Sequence, residues 1–255
     1  ENIGYFDSAQ IELIAVVFML ISATNFGLHF LALTKRSIKY HLNNDEFKFF
    51  LFVVVVSIIV STLTLLLKEG FSINDSLRFG VFQTVSIVTT TGYTLEPLSS
   101  LGNIMPFFIF IIAFIGACSG SVGGGMKAWR VLTLLKIGFS NITKIMHPNA
   151  VSTTKMNGEK ISSSQIEAVF SFIAIYITFF LLFLFVLIFQ NIDFYSAFSG
   201  TAAAINNLGP GLGQFAENYS SLSDSAKLTL AGAMIVGRLE LFGVLILLFP
   251  SYWKS

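Results

Sequence analysis

The chain has 255 residues, of which 54% are hydrophobic and 11% charged, with a formal net charge of +1 and a mean hydropathy of +0.78. The charged share is less than half of that usual in soluble domains, so the composition excludes an ordinary soluble fold and indicates an integral membrane protein. Its one cysteine, Cys118, excludes a disulfide framework and a cysteine-rich zinc site.

Five apolar segments are each long enough to cross a bilayer, which takes about 20 residues in a helix. They are Ile11–Leu33, Phe47–Leu67, Ile104–Ile137, Val169–Phe189 and Leu228–Phe249. Basic residues gather in the connections after the first and third segments, whereas the connections after the second and fourth carry few. The positive-inside rule therefore predicts a multi-pass protein with the basic connections and the C-terminus in the cytoplasm and the N-terminus outside.

Each of the two outer connections contains a shorter element, Asp75–Val88 or Asp193–Ile205. Both begin with an aspartate, which suits a helix N-terminus, and both are too short and too rich in small residues to span. We predict half-helices that enter the membrane and turn back. Thr84–Gly92 also aligns without gaps with Thr201–Gly209, which indicates an internal repeat of span, half-helix, loop and span.

The third apolar segment, Ile104–Ile137, is interrupted by the glycine-rich stretch Gly116–Met126. A continuous helix here would be about 50 Å long, beyond a hydrocarbon layer of about 30 Å, and each of three consecutive glycines costs about 1 kcal/mol in a helix. We predict non-helical backbone, which a membrane tolerates only where protein buries it or water hydrates it. A transport pathway is the first hypothesis, and a kink between lipid-facing half-helices stays open. A phosphate loop is disfavoured, because Gly125-Met126-Lys127 departs from the required Gly-Lys-Ser/Thr.

A loop of hydroxyl or amide residues and glycine follows each half-helix, Thr89–Tyr93 after the first and Asn206–Gly211 after the second. This composition suits a chain that points successive carbonyls into a lumen, because glycine relieves the steric limits on backbone torsion. The C-terminal dipoles of the half-helices would favour a cation at the same place. One such loop could be a plain outer turn, but two in matching repeats predict a cation path.

Arg238 lies near the centre of the last apolar segment, where a charge costs at least about 2.5–3.5 kcal/mol. Its distance along the chain from Gly209 is similar to that of Ala117 from Gly92, so we expect both at similar depth. We predict that the arginine donates to carbonyls of the glycine-rich stretch and repels cations there. A pair with Glu240 is the alternative, disfavoured because residues two apart on a helix point to different sides.

Six segments together resemble the Trk/Ktr/HKT superfamily of potassium transporters, and within it the TrkH-type uptake subunits. They are Ala23–Phe30, Val88–Tyr93, Gly116–Lys127, His147–Val151, Asn206–Gly213 and Gly237–Glu240. The resemblance implies an all-α membrane protein with tandem repeats of membrane helix, pore half-helix and membrane helix around a pseudo-fourfold pore. It also implies potassium uptake through a backbone-carbonyl filter and past an intramembrane gating loop, with no enzymatic activity and no covalently bound cofactor.

The resemblance assigns individual residues to this pathway. A potassium ion in the filter would bind backbone carbonyls of one segment from each repeat: Thr90, Thr91, Gly92 and Tyr93 in the third, and Asn207, Leu208, Gly209 and Pro210 in the fourth. The gate would comprise Gly116, Ser119, Gly120, Gly123, Gly124, Gly125, Lys127 and Arg238.

On this template the chain divides into four parts. Residues 1–40 would be the last helix of a second repeat, 41–140 the third repeat with the gating loop, 141–164 a cytoplasmic loop, and 165–255 the fourth repeat. We thus expect the C-terminal half of a longer protein of the inner (plasma) membrane. Its implied partners are membrane lipid, a second copy in a homodimer, and a cytosolic nucleotide-binding regulatory subunit of the TrkA type at Ser140–Lys160. No nucleic acid is expected.

Three other functions stay open. An ion-coupled secondary transporter also has discontinuous helices, although such proteins usually show inverted repeats and these two repeats run in the same direction. An intramembrane hydrolase would use Ser119 as its nucleophile, but Gly116 is one residue too early for Gly-x-Ser-Gly. A purely structural subunit would leave Arg238 and both half-helices unexplained. Three histidines are interpreted as too scattered for a metal site: His29, His41 and His147.

Overall fold

The computed structural model describes residues 2–102, 104–147, 153–216, 219–220, 222–239 and 241–253. Within them the chain is mostly helical, which confirms the predicted all-α membrane class, with one small β-hairpin added. The helices are α1 (Ala9–Ser22), α2 (Phe26–Thr34), α3 (Lys39–Leu42), α4 (Asp45–Leu67), α5 (Ile73–Val88), α6 (Ile104–Ala113), α7 (Ala128–Met146), α8 (Ser163–Phe189), α9 (Phe194–Ile205), α10 (Asp224–Arg238) and α11 (Phe242–Leu248). The strands are β1 (Lys155–Met156) and β2 (Glu159–Lys160). Residue 240 and residues 148–151, which carry parts of two motifs, lie outside this description.

In the described part of the chain, two helices, α4 and α8, are long and apolar enough to cross a membrane on their own, with 23 and 27 residues. Both begin at a capped polar turn. The Asn44 side chain accepts the Phe47 N–H before α4, and Ser162 and Gln165 form a reciprocal capping box before α8. Large apolar side chains such as Phe52 are exposed on these helices, as a lipid-facing surface requires.

Two segments predicted as single spans, the first and the last, are broken helices. α1 and α2 meet at 95°, because the Asn25 side chain accepts the Gly27 N–H and caps a new helix. α10 ends at Arg238, and the chain turns before α11 at Leu241, which has a φ of 55°. The Leu241 N–H donates to the Val236 carbonyl and closes the end of α10.

The two predicted half-helices are present as α5 and α9. α9 begins as predicted, with the Asp193 side chain accepting the Ser196 N–H, a bond that also holds the pKa of this carboxyl below its usual range. α5 begins two residues before the predicted Asp75, because Ser72 caps it and Asp75 lies in its first turn. α5 packs on α4 and α6, and α9 packs on α8 and α10, so each half-helix contacts two helices of its own repeat.

Two apolar cores hold the repeats. One joins α6 with α8, α9 and α10 and includes Phe110, Ala113 and Phe215. The other joins α1, α4 and α5 and includes Phe82 and, from the glycine-rich stretch, Cys118. The connection from α6 to α7 therefore passes from one core to the other.

The segment predicted as a cytoplasmic loop, residues 141–164, is partly regular structure. α7 continues through Met146, and α8 begins at Ser163. Between them β1 and β2 pair antiparallel around Asn157 and Gly158, whose positive φ values are typical of a two-residue hairpin turn. The sequence did not indicate this hairpin, because two-residue strands carry too little sequence pattern.

Candidate functional site

α5 ends in a turn closed by two backbone hydrogen bonds. The Thr91 N–H donates to the Ser86 carbonyl at 2.8 Å, and the Thr90 N–H donates to the Ile87 carbonyl at 3.0 Å. This is the Schellman pattern, in which the residue after the helix cap takes a left-handed conformation. Here that residue is Thr90, with a φ of 57°, although a β-branched side chain rarely adopts this conformation. Such an outlier persists only where the surroundings fix it.

α9 ends in the same turn. The Leu208 N–H donates to the Ala203 carbonyl at 2.8 Å, and the Asn207 N–H donates to the Ala204 carbonyl at 3.1 Å. Asn207 stands where Thr90 stands after α5, and its φ of 55° matches. The alignment predicted from sequence is therefore reproduced in both bonds of the turn and in the left-handed residue.

The next glycines match as well, with φ of 81° at Gly92 and 97° at Gly209. Positive φ thus recurs at alternate positions of both loops. Among the described residues, no N–H or O–H donates to the main-chain carbonyls of Thr90, Thr91, Gly92, Asn207 and Leu208. These oxygens keep their lone pairs available for a cation.

The two loops touch each other. A Cβ added at Gly92 would lie 1.8 Å from the Leu208 carbonyl oxygen and 3.1 Å from the Pro210 Cδ, so no side chain fits there. By contrast, no atom of the described residues lies within 4 Å of a Cβ added at Gly209. A cavity of about 320 Å³ adjoins the loops and is lined by both glycines, Pro210 and Tyr219.

Hydroxyl groups of its own helix and loop brace the first loop. The Ser86 hydroxyl donates to the Tyr93 carbonyl at 2.6 Å. The hydroxyls of Thr89 and Thr91 lie 2.9 Å apart, and that of Thr89 also donates to the Val85 carbonyl at 2.7 Å. The Tyr93 carbonyl therefore already accepts an internal hydrogen bond, unlike the three carbonyls before it.

Tyrosines from other segments brace the second loop. The buried Tyr176 hydroxyl on α8 donates to the Asn206 side-chain oxygen at 2.7 Å. The Tyr219 hydroxyl donates to the Gly209 carbonyl at 2.7 Å. A phenol is a donor at neutral pH, and burial raises the pKa of Tyr219 further, to about 12.

The glycine-rich loop, residues 114–127 between α6 and α7, is non-helical, which confirms the predicted interruption. It lies against the C-terminal ends of both half-helices. The Gly124 N–H donates to Thr90 Oγ1 at 2.6 Å, and a Cβ added at Gly124 would lie 2.2 Å from the Asn206 carbonyl oxygen. A Cβ added at Gly123 would lie 3.0 Å from the Thr89 carbonyl oxygen. Glycine at these positions permits the loop to lie directly on the two turns.

The glycine-rich loop also folds onto itself. A Cβ added at Gly116 would lie 2.9 Å from the Gly125 Cα, so the start and the end of the loop are in contact. The Lys127 ammonium is buried within the loop and donates to the Gly123 carbonyl. At the middle of the loop, the Gly120 carbonyl accepts a hydrogen bond from the start of α2. These contacts hold the start, the middle and the end of the loop against neighbouring groups.

Arg238 reaches the glycine-rich loop, as predicted. Its Nη1 donates to the Val122 carbonyl at 3.1 Å. Its predicted place at the centre of a continuous span is wrong, since it is the last residue of α10. A cation at a helix C-terminus is favoured by the helix dipole. A cavity of about 150 Å³ is lined by Gly123–Gly125, Lys127 and Arg238, so two cationic residues border one space.

Sequence reasoning missed two further partners of the glycine-rich loop. The Glu46 carboxylate accepts the Ser119 N–H at 2.5 Å and the Trp129 N–H at 3.0 Å. The break between α1 and α2 also binds the loop, with the Cys118 N–H donating to the Ala23 carbonyl at 2.9 Å. The sequence Asn44-Asp45-Glu46 before the second span is a recognisable helix start, but nothing in it indicates which group Glu46 binds.

Two of the three histidines lie close together, which the sequence did not indicate. His41 Nε2 lies 3.1 Å from His29 Nδ1, and His29 Nε2 donates to the Ile21 carbonyl at 2.9 Å. No cluster of three metal-ligating side chains occurs among the described residues, so the pair lacks the ligands of a metal site.

Comparison with known proteins places this geometry in a family. The family model described as TrkH, cation transport protein, matches residues 1–255. Curated relatives named Trk system potassium uptake protein include TrkH of Vibrio parahaemolyticus, 42% identical over 257 residues, and TrkH of Escherichia coli K12, 38% identical over 255 residues. TrkG of Escherichia coli K12 is 33% identical over 255 residues. Each alignment covers 100% of this chain and 53% of the relative, so the chain spans about half the length of these curated relatives.

A solved structure agrees with the sequence comparison. The crystal structure of the potassium transporter TrkH from Vibrio parahaemolyticus superposes with a TM-score of 0.92 at 41% identity. The match covers 99% of this chain and 55% of the crystallised one. The overall fold of the chain thus matches one already observed by experiment.

Proposed function

The chain belongs to the TrkH family of cation transport proteins, and on that premise we propose that it supplies half of a potassium-conducting pore. The complete pore would have four filter segments, of which this chain holds the third and fourth. One observation carries the proposal: the turns after α5 and α9 share a backbone, touch each other and leave neighbouring carbonyls to which no described residue donates. Uptake would follow the electrochemical gradient and require no bond to form or break, so the protein would not be an enzyme.

The filter would replace the hydration shell of potassium with main-chain carbonyl oxygens. The best-supported ligands are the five carbonyls that accept no hydrogen bond from described residues, at positions 90–92, 207 and 208. The carbonyls of Tyr93 and Gly209 also border the path but already accept internal hydrogen bonds. The C-terminal ends of α5 and α9 would add a partial negative charge of about half an elementary charge each.

The gate would be the glycine-rich loop, which closes the path next to the filter turns. Its contact with Thr90 through Gly124 holds it against the filter. Lys127 and Arg238 donate to its carbonyls and place two positive charges on one cavity, where they repel a cation. Conduction would require the loop to leave this position.

We propose the orientation and partners of the whole protein from the charge pattern and the family. The basic connections, with the β-hairpin, would lie in the cytoplasm, and the protein would sit in the inner (plasma) membrane as a homodimer. A cytosolic TrkA-type regulatory subunit would dock on Ser140–Lys160. Any nucleotide would then bind that subunit and not this chain.

Rubidium or potassium uptake by the full-length protein in a cell that lacks its own uptake systems tests this function. We expect saturable uptake that sodium inhibits weakly. A purely structural subunit would give no uptake while present in the membrane at normal amounts, and an ion-coupled transporter would give uptake against the electrochemical gradient. Either of these results would contradict the proposed pore.

A further inference from the structure

α4 begins with two adjacent carboxylates, Asp45 and Glu46, directly after the Asn44 cap. Successive helix residues are about 100° apart around the axis, so the two side chains leave the helix in different directions. Both charges suit the positive end of the helix dipole, but an exposed acid would serve that purpose equally well. Asp224 does so in the first turn of α10, where its side chain is 97% exposed. Glu46 is only 5% exposed, so its burial needs another explanation.

Glu46 joins the glycine-rich loop to the helix that follows it. Its Oε1 accepts the Ser119 N–H at 2.5 Å from the loop and the Trp129 N–H at 3.0 Å from the first turn of α7. The first N–H groups of a helix have no acceptor inside that helix, so an outside acceptor is needed for Trp129. Hydrogen bonds to an ionised acceptor are about twice as strong as neutral ones. One oxygen of Glu46 thus fixes the loop relative to α4 and α7 at once.

Asp45 joins the same turn of α4 to the β-hairpin. Its carboxylate accepts one hydrogen bond from the Lys136 ammonium at 2.6 Å and another from the Asn157 N–H at 3.0 Å. The Asp45 N–H in turn donates to Asn157 Oδ1 at 2.7 Å, and Lys136 also donates to the Lys155 carbonyl at 2.9 Å. The hairpin turn is therefore bound both to α4 and to the middle of α7.

From these bonds we infer that Glu46 is a positioning residue for the glycine-rich loop, and that Asp45 and Asn157 connect the hairpin to this function. The inference rests on the gate proposed above and names how that gate is regulated. Pulling the hairpin away from α4 would disturb the turn that carries Glu46. The loop would then lose its hold at Ser119 and could leave the filter.

Cys118 can report movement of the glycine-rich loop. It is 1% exposed in this position of the loop and is the one cysteine of the chain. In full-length protein with Cys118 as its single cysteine, the rate of modification by a water-soluble thiol reagent measures how often the loop leaves its position. Glu46→Ala should raise this rate about tenfold, whereas Glu46→Gln, which keeps an acceptor oxygen, should stay within about threefold of the parent. Asp224→Asn removes a matched helix-start charge and should change nothing.

The hairpin connection is tested with Glu46 intact. Combining Asp45→Asn with Asn157→Ala should raise the Cys118 modification rate by less than Glu46→Ala but clearly above the parent. An unchanged rate in this double variant would overturn the role of the hairpin. If Glu46→Ala does not reach the membrane, the Cys118 modification rate of this double variant still tests whether the hairpin is connected to the loop.

Rubidium flux per molecule, measured on the same variants, separates this inference from the proposed gate. Faster modification of Cys118 together with raised flux in Glu46→Ala supports both. Faster modification with unchanged flux supports the positioning role of Glu46 and contradicts the gate. A modification rate within about twofold of the parent in Glu46→Ala overturns the inference about Glu46 whatever the flux, because the lost hydrogen bond from the Ser119 N–H then does not hold the loop.

Discussion

The turns after α5 and α9 have the same backbone in different surroundings. The first turn binds the glycine-rich loop through the Thr90 hydroxyl, and its Gly92 has no space for a side chain. In the second turn, the Asn207 side chain donates to the Met234 carbonyl at 3.4 Å on α10, and Gly209 faces open space. The repeat therefore sets the backbone of each copy, while the side chains connect the first to the proposed gate and the second to the surrounding helices.

The largest effect is expected when the two turns are separated from the rest of the pore. The 255 residues reconstituted alone should conduct no potassium, because two filter segments cannot surround a bare ion. Flux into liposomes measures this, with the full-length protein as the control. Potassium-selective flux through the shorter chain would contradict a pore of four segments.

A side chain at each matched glycine tests how different the two turns are. Gly92→Ser should keep cation flux but strongly weaken selectivity against sodium, because the new Cβ would displace the Leu208 carbonyl. Gly209→Ser should cost only the torsional strain of positive φ, about 1–2 kcal/mol, and shift selectivity less. Reversal potentials in mixed sodium and potassium measure both. Equal shifts, or no shift for Gly92→Ser, would remove the proposed difference between the turns.

The bond between the first turn and the glycine-rich loop can be removed at almost constant shape. Thr90→Val leaves the Gly124 N–H without its acceptor, which costs about 1–3 kcal/mol, so basal potassium flux should rise about tenfold. Thr90→Ser keeps the hydroxyl and should behave like the parent. Indistinguishable flux in these two variants would show that the hydroxyl does not hold the loop.

The smallest effect is expected from the brace of the second turn. Tyr176→Phe removes the hydrogen bond to the Asn206 side chain, which contributes about 0.5–1.5 kcal/mol. The thermal midpoint of the purified protein should fall slightly, while basal flux stays close to that of the parent. A rise in basal flux as large as that of Thr90→Val would mean that both turns control the gate equally.

Local patterns predicted much of this fold. The half-helices, the interruption around Gly116–Met126 and the contact of Arg238 follow from length, glycine content and the cost of a charge in an apolar segment. The breaks after α1 and α10 could not be predicted in this way, because neither contains glycine or proline. They depend on contacts made in the folded state, such as the cap by Asn25 and the turn at Leu241.

The partners of the glycine-rich loop were harder still to predict. Ser119 is separated from Glu46 by 73 positions, and the sequence around each is ordinary for a helix start or a glycine-rich stretch. The 34 positions between Thr90 and Gly124 present the same difficulty. Only the packing of α4, α5 and α7 brings these groups together.

The most direct test of the account combines two changes at the gate and measures potassium flux per molecule in the full-length protein. Arg238→Ala and deletion of Gly123–Gly125 should each raise basal flux, because each removes part of what blocks the path. Together they should give less than the product of the single effects, since groups in one contact network are not additive. The amount of protein in the membrane is the control, because either change can also lower folding yield. Flux per molecule that falls or stays level in both single variants would contradict the gate.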